Sequence, residues 1–206
     1  MNPLSIRNVW CVGRNYAEHA QEMKAEKPKS PLFFLKSGNT IETGSVIHLP
    51  KWSNNVQHEI ELAFWLNEQL QFSHVSLGLD LTARDIQNEA KEKGLPWTKA
   101  KSFKGSCPLG SWVSLEDHYT PNKELPQFNF ELKKNKKTVQ VGSSHEMLFS
   151  PSVLLQEAQK FYPVAPFDIL LTGTPAGVST LHIGDQLEAT LQSENRTILT
   201  CFWDVQ

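Results

Sequence analysis

The sequence predicts a β-rich α+β fold, on three observations. Short apolar runs bounded by Gly, Pro, Asn or Asp recur from residue 6 to residue 205, and most of them have strand length. Helical periodicity is confined to three stretches at irregular intervals, so strands and helices do not alternate as a doubly wound sheet requires. Neither an internal repeat nor a low-complexity linker divides the chain. Its 206 residues are enough for one domain, 1–206, burying roughly 70% of its unfolded-chain surface.

The first element, "IRNVWCVG", reads as a buried strand closed by Gly13. "NYAEHAQEMKAE" is a short helical stretch, and the polar loop "KPKSP" follows with two prolines. "PLFFLK" and "SVIHLP" are short strands. "HEIELAFW", residues 58 to 65, is a longer one, paired through a turn at Asn67 with "QLQFSHVSLGLDL". Thr82 stands where an N-cap belongs for the helix "ARDIQNEAKEK", with Asp85 in the N3 place and Gly94 as the C-terminal stop. Beyond it come the strands "GSWVSL", "FNFELKK", "TVQVG", "DILLTG", "QLEATL" and "ILTCFWDV", interrupted by one helix, "PSVLLQEAQKF". The basic run "KKNKK" centres on Asn135 between two strands, which makes it a solvated hairpin tip.

Composition excludes several functions. A net charge of −2 supplies no basic footprint for nucleic acid. Cys11, Cys107 and Cys201 are widely spaced with no CxxC, so neither a disulfide framework nor a zinc site is indicated. The N-terminus lacks the basic start and apolar core of a signal peptide, and no apolar run approaches the roughly 20 residues of a membrane span. The expected compartment is the cytoplasm.

The informative anomaly is Glu59 and Glu61 within "HEIELAFW". Residues two apart on a strand share a face, with Cα atoms roughly 6.5–7 Å apart. Taken alone, the pair fits a half-exposed strand. Asp80 shifts the reading, because it sits between Leu79 and Leu81 at the end of a second apolar strand. Two strands that both deliver carboxylates where apolar residues belong can converge on one point. Buried carboxylates repel and are costly unless neutralised, which a divalent cation accomplishes. Three oxygen ligands with no cysteine favour Mg²⁺ or Mn²⁺ over Zn²⁺ and leave coordination positions open. Competing motifs fail: His58-Glu59 does not continue to HExxH, "GSCPLGS" lacks the P-loop lysine, and no GxSxG occurs.

With "CVGRNYAEHAQEM", "HEIELA", "LDLTARDIQ", "KGLPWTKAKSF", "CPLGSWV" and "LTGTPAGV" in this order, the chain resembles the fumarylacetoacetate hydrolase family, most of all its short members acting on acylpyruvates and oxaloacetate. The resemblance runs from about Val9 to the C-terminus and implies a β-roll of mixed strands, usually in a homodimer. It places the family's metal ligands on Glu59, Glu61 and Asp80. It also implies substrate contacts from Arg84, Gln87 and Thr174, and a lysine near the metal at Lys101. His19 and Glu22, three apart on the short helix, match its water-activating pair. His58, His74, His118 and His182 receive no role. Segment 133 to 146 lacks the family's usual Val-Asn-Gly turn and "LHIGDQ" its usual glycines, which bears on substrate preference rather than on the metal.

The implied reaction is metal-dependent hydrolysis of a C–C bond in an acylpyruvate. Water activated by His19 and Glu22 attacks the distal carbonyl, and the metal and Lys101 hold the pyruvate enolate. Oxaloacetate decarboxylation and keto–enol or double-bond isomerisation share that electrophilic centre and stand as alternatives. A non-catalytic metal-binding module of the same fold is the remoter one. The implied ligand is a small 2-oxo acid. The polar stretch from about Asn15 to Ser30, with Pro28 and Pro31 beside it, is expected to be a mobile lid.

Overall fold

A computed structural model describes residues 6–23, 26–116 and 125–206. In chain order the elements are β1 (Asn8–Gly13), α1 (Ala17–Glu22), β2 (Leu32–Ser37), β3 (Ile41–Glu42), β4 (Val46–Ile47), β5 (Val56–His58), β6 (Ile60–Leu66), β7 (Phe72–Leu79) and β8 (Thr82–Ala83). Then come α2 (Arg84–Glu92), α3 (Thr98–Lys101), β9 (Cys107–Pro108), β10 (Val113–Ser114), β11 (Phe128–Lys134) and β12 (Lys137–Ser143). The last are α4 (Pro151–Phe161), β13 (Ile169–Leu171), β14 (Ser179–Thr180), β15 (Gln186–Ser193) and β16 (Arg196–Val205). The β-rich α+β expectation holds.

The longest apolar strands build two sheets, ordered β10-β7-β6-β13-β1-β2 and β12-β11-β15-β16-β4. Both are mixed, since β1 runs parallel to β13 and β16 parallel to β4 among otherwise antiparallel pairs. Trp10, Leu62, Phe64 and Leu77 of the first sheet share one core with Phe130, Leu132, Leu191 and Trp203 of the second. Alternate residues of the same strands, Val9, Cys11, Ala63, Trp65, Ile169 and Leu171, form a cluster on the other face of the first sheet. Burial on both faces explains why its strands read as continuous apolar runs. Glu59 and Glu61 are in phase with Ala63 and Trp65, so they fall on this second face.

The hairpin expectations hold. Asn67 turns β6 into β7, its side chain accepting from the amides of Gln69 (3.0 Å) and Gln71 (2.9 Å). Asn135 (φ 52°) and Lys136 (φ 67°) form the left-handed tip between β11 and β12. Gly94 follows α2 at φ 65°, as a helix stop requires.

Two local expectations are corrected. Thr82 does not cap α2, because it belongs to β8 and its hydroxyl donates to the Asp80 carbonyl at 3.0 Å. Ala83 takes the cap position with no side-chain bond, and Asp85 instead accepts from the Ser53 hydroxyl (2.7 Å) and the Asn54 amide (3.1 Å). Sheet pairing has overridden local capping preference. The lid expectation also contracts. Asn15 is fully buried, its amide donating to the carbonyls of Phe149 (2.9 Å) and Thr172 (2.8 Å) and accepting from the Phe149 amide (2.8 Å). Tyr16 and Ala20 are likewise buried, so the described start of the supposed lid is part of the core. Lys24 and Ala25 in that stretch, and His118, lie outside the described residues. No helix among the described residues is long and apolar enough to cross a membrane.

Asp168 ties the parallel β1–β13 junction. Its buried carboxylate accepts from the Asn8 amide (3.1 Å), Asn8 Nδ2 (3.2 Å), Trp10 Nε1 (2.9 Å) and the Ala165 amide (3.0 Å). Asp168→Ala leaves these donors unpaired and should cost about 3 kcal/mol in denaturant unfolding. Trp10→Phe removes one donor and should cost about 1 kcal/mol by the same measurement.

Candidate metal centre and active site

The β6–β7 hairpin brings the three acids together. Ile60 pairs with Leu79, so Glu59, just before β6, stands opposite Asp80, just after β7, and the Asp80 amide donates to the Glu59 carbonyl at 2.8 Å. Glu59, Glu61 and Asp80 each offer one carboxylate oxygen within 4.8 Å of the others. All three are buried, at 5%, 1% and 0% exposure.

Three buried cations face them. Lys101, on α3, donates to Glu59 Oε2 (2.8 Å) and Asp80 Oδ2 (2.6 Å). Arg84 opens α2 and bonds Glu59 Oε1 through Nη2, while its Nη1 donates to Gln87 (2.5 Å) and its Nε to Gln57 (2.8 Å). Lys36, absent from the sequence reading, is fully buried with Nζ 2.9 Å from Asp80 Oδ1. Its hydrogen bonds go to the carbonyls of Leu81, Lys101 and Ser106 and to the Ser106 hydroxyl. A lysine in phase with Phe34 in an apolar strand was the available signal.

The environments split the acids. Burial pushes the Glu59 carboxyl up, but Lys101 and Arg84, with help from His19, outweigh it and hold it well below the usual range. Burial also pushes Glu61 up, and there Asp80 and Glu59 reinforce it, so Glu61 lies well above that range. Glu61 receives one hydrogen bond among the described residues, from the Gly173 amide at 2.6 Å. Burial would lower the Lys101 ammonium, but Asp80 and Glu59 raise it above its ordinary value.

A divalent cation fits this cage. Asp80 Oδ1 is buried and accepts no hydrogen bond among the described residues, since Lys36 directs its protons to the carbonyls of Leu81, Lys101 and Ser106 and to the Ser106 hydroxyl. Glu61 has no cation in direct contact among the described residues, and burial and its acidic neighbours push its carboxyl well above the usual range. The donors are all carboxylate oxygens, the set that suits a hard cation. The triad is able to bind a metal.

The remaining candidates gather around the cage. His19, Glu59, Arg84, Gln87 and Lys101 line one cleft. His19 Nδ1 lies 3.1 Å from Glu22 Oε2, and Glu22 also accepts from the Gly177 amide at 3.2 Å, which fixes the pair against the loop after β13. That loop approaches too closely for a side chain at Gly173 (φ 93°), where a Cβ would meet the Asn15 Cβ at 2.8 Å. Thr174 stands apart from the open cleft: its hydroxyl donates to the Ile60 carbonyl (2.9 Å) and accepts from Gln140 Nε2 (2.8 Å).

Gln140 and His58 were not singled out by sequence, yet they brace β6. Gln140 Oε1 accepts from the Ile60 amide (3.2 Å) and faces His58 Nδ1 (2.8 Å), whose Nε2 meets the Ser179 hydroxyl at 2.7 Å. The Ile60 amide contact makes Gln140 Oε1 an acceptor, so the His58 Nδ1 carries the proton. Burial, with Lys134 adding to it against the Gln140 bond, lowers His58 to about 4.

Comparison with known proteins agrees with this geometry. Residues 8–201 match the fumarylacetoacetate (FAA) hydrolase C-terminal family. The chain is 37% identical over 194 residues to the mitochondrial oxaloacetate tautomerase FAHD1 of Homo sapiens, covering 89% of this chain and 86% of that protein. The structure of yeast ynq8, a fumarylacetoacetate hydrolase family protein, matches at TM-score 0.86 with 32% identity over 99% of this chain and 94% of that one. Fumarylpyruvate hydrolase from Pseudomonas aeruginosa, in complex with Mn²⁺ and pyruvate, matches at TM-score 0.86 with 25% identity over 97% and 89% of the two chains. The chain belongs to the fumarylacetoacetate hydrolase family. Members of that family are enzymes.

Two outcomes follow from the electrostatics. Glu61→Gln removes a carboxylate held up by burial and by its like-charged neighbours, so the metal-stripped variant should melt no lower than the wild type. Wild type should melt higher in excess Mn²⁺ than in EDTA, whereas Glu61→Gln should lose that rise; a full rise in the variant would remove Glu61 from the ligand set. His58 titrates at about 4 when folded against 6.5 ordinarily, so the unfolded chain takes up its proton first and stability falls as pH drops from about 6.5 to 4. Between pH 7 and 4.5, denaturant unfolding of His58→Gln should lose about 2 kcal/mol less than wild type.

Proposed function

We propose that the protein is a metal-dependent enzyme of 2-oxo dicarboxylates that interconverts the keto and enol forms of oxaloacetate, using Mg²⁺ or Mn²⁺. The observation that carries this reading is the charge balance of the cage. Glu59, Glu61 and Asp80 offset Lys36, Lys101 and Arg84, so a bound divalent ion leaves two positive charges, which a dianionic substrate neutralises. The 37% identity to an oxaloacetate tautomerase supports the same substrate. It moves tautomerisation ahead of the acylpyruvate hydrolysis that the sequence puts first.

A divalent ion held by Glu59, Glu61 and Asp80 would supply an electrophile that stabilises negative charge on the substrate. The chain's own residues do the rest. His19, held by Glu22, takes the proton from C3 of the keto form and delivers it to the enolate oxygen to complete the enol, and it runs the same two transfers in the reverse direction. The Lys101 ammonium, kept protonated by Asp80 and Glu59, faces the oxygen that gains charge and stabilises the enolate without giving up its proton. Arg84 fixes Glu59, and Gln87 is held by Arg84 beside it, ready to orient the substrate.

Hydrolysis of an acylpyruvate is the second reading. The His19–Glu22 pair is equally placed to activate water, and a fumarylpyruvate hydrolase shares the fold. Ultraviolet absorbance of freshly dissolved enol oxaloacetate separates the two. Metal-dependent acceleration of its decay is expected, reduced roughly 10²- to 10⁴-fold in His19→Ala. No acceleration, alongside rapid cleavage of acetylpyruvate, would put hydrolysis first.

A further inference from the structure

The mouth of the active-site cleft carries two cations that the cage does not use. Arg84, Gln87 and Lys91 recur at i, i+3 and i+7 along α2 and its last turn, and all three line the cleft. Arg84 and Gln87 are buried and bonded to one another, whereas Lys91 is exposed at the rim. Lys91 Nζ lies 5.5 Å from the centre of the Trp97 ring, itself edge-on to Phe34 at 6.1 Å. Across the opening, Arg14 follows β1 with φ 61°, a left-handed conformation that an arginine adopts only at some cost. That conformation sets Arg14 into the lining of the same cleft.

Neither the Arg14 nor the Lys91 side chain has an ion-pair or hydrogen-bond partner among the described residues, although the side chains of Lys36, Lys101 and Arg84 are all engaged. Desolvation against the cleft wall and the charges of Arg84, Arg14 and Lys101 hold the Lys91 ammonium below its ordinary value. Unpaired like charges around one opening repel, and an anion relieves that repulsion. An anion at the mouth would lie farther out than the carboxylate and oxo oxygens that enter the cage.

We propose that Arg14 and Lys91 form a clamp for the distal carboxylate of a 2-oxo dicarboxylate, selecting dianionic over monoanionic 2-oxo acids. The clamp rests on the proposed function for its substrate class, and it names the residues that read the second charge. It includes no bond-making step: Arg14 donates a paired N–H fork and Lys91 a point charge.

Stopped-flow tryptophan fluorescence of the Mg²⁺-loaded protein, mixed with oxaloacetate or with pyruvate, measures both dissociation constants without relying on turnover. Arg14→Gln and Lys91→Met should each weaken oxaloacetate binding roughly tenfold. Pyruvate, which lacks the second carboxylate, should weaken by a clearly smaller factor, and Lys91→Arg should restore most of the oxaloacetate affinity. In turnover, the ratio of kcat/KM for oxaloacetate to that for acetylpyruvate should fall in the two neutral variants, through KM rather than kcat. Equal weakening of both ligands, or no change in oxaloacetate binding, overturns the clamp. Tight, clamp-dependent oxaloacetate binding without tautomerisation would keep the clamp and remove the proposed reaction instead.

Discussion

Lys36, Lys101 and Arg84 neutralise Glu59, Glu61 and Asp80 in a volume that solvent barely reaches, and much of the chain is arranged around that balance. Burying an ion costs several kcal/mol even after relaxation, so each charge persists only because its partners are held in place. Removing one partner would strand the other. The distribution is uneven: among the described residues Glu59 has two cations in direct contact, Asp80 has two, and Glu61 has only a backbone amide. The cage is therefore balanced in sum and short of positive charge at Glu61, the property that suits it to one more cation.

Backbone architecture supplies the precision. β6 is buried along its whole length, with one face given to the inter-sheet core and the other carrying Glu61, in phase with Glu59 just before the strand. The loop after β13 is stitched to β6 through Thr172 and Thr174, which donate to the carbonyls of Leu62 and Ile60. The same loop meets Glu61 through Gly173 and Glu22 through Gly177. Asn15 clamps the start of α1 to this loop and to Phe149, so the helix bearing His19 is registered against the strand bearing the acids. One contiguous set of side-chain-to-backbone hydrogen bonds thus links the His19–Glu22 pair to the three carboxylates.

Much of this was legible in the sequence. Glu59, Glu61 and Asp80 announced themselves by violating apolar runs, and the hairpins at Asn67 and Asn135 by their turn chemistry. What stayed hidden depends on non-local pairing. Lys36 lies one residue from the end of β2, where a lysine normally reaches solvent, and non-local packing against α3, Leu81 and Ser106 encloses it. Gln140 sits in a polar hairpin strand and becomes a brace for β6 only when the two large sheets meet. Thr82 had the right local chemistry for a cap and lost it to the pairing of β8 with β5. Arg14 and Lys91 carry no periodic signal that separates them from surface cations.

If Glu59, Glu61 and Asp80 form one site for one divalent ion, each chain takes up one Mn²⁺ and loses that uptake when a ligand is neutralised. Electron paramagnetic resonance of free Mn²⁺, followed as metal-stripped protein is titrated, tests it most directly. Loss of one Mn²⁺ signal per chain in the wild type, and of none in Asp80→Asn under the same conditions, is the predicted result. An unchanged free Mn²⁺ signal with the wild type, or full uptake by Asp80→Asn, would contradict it.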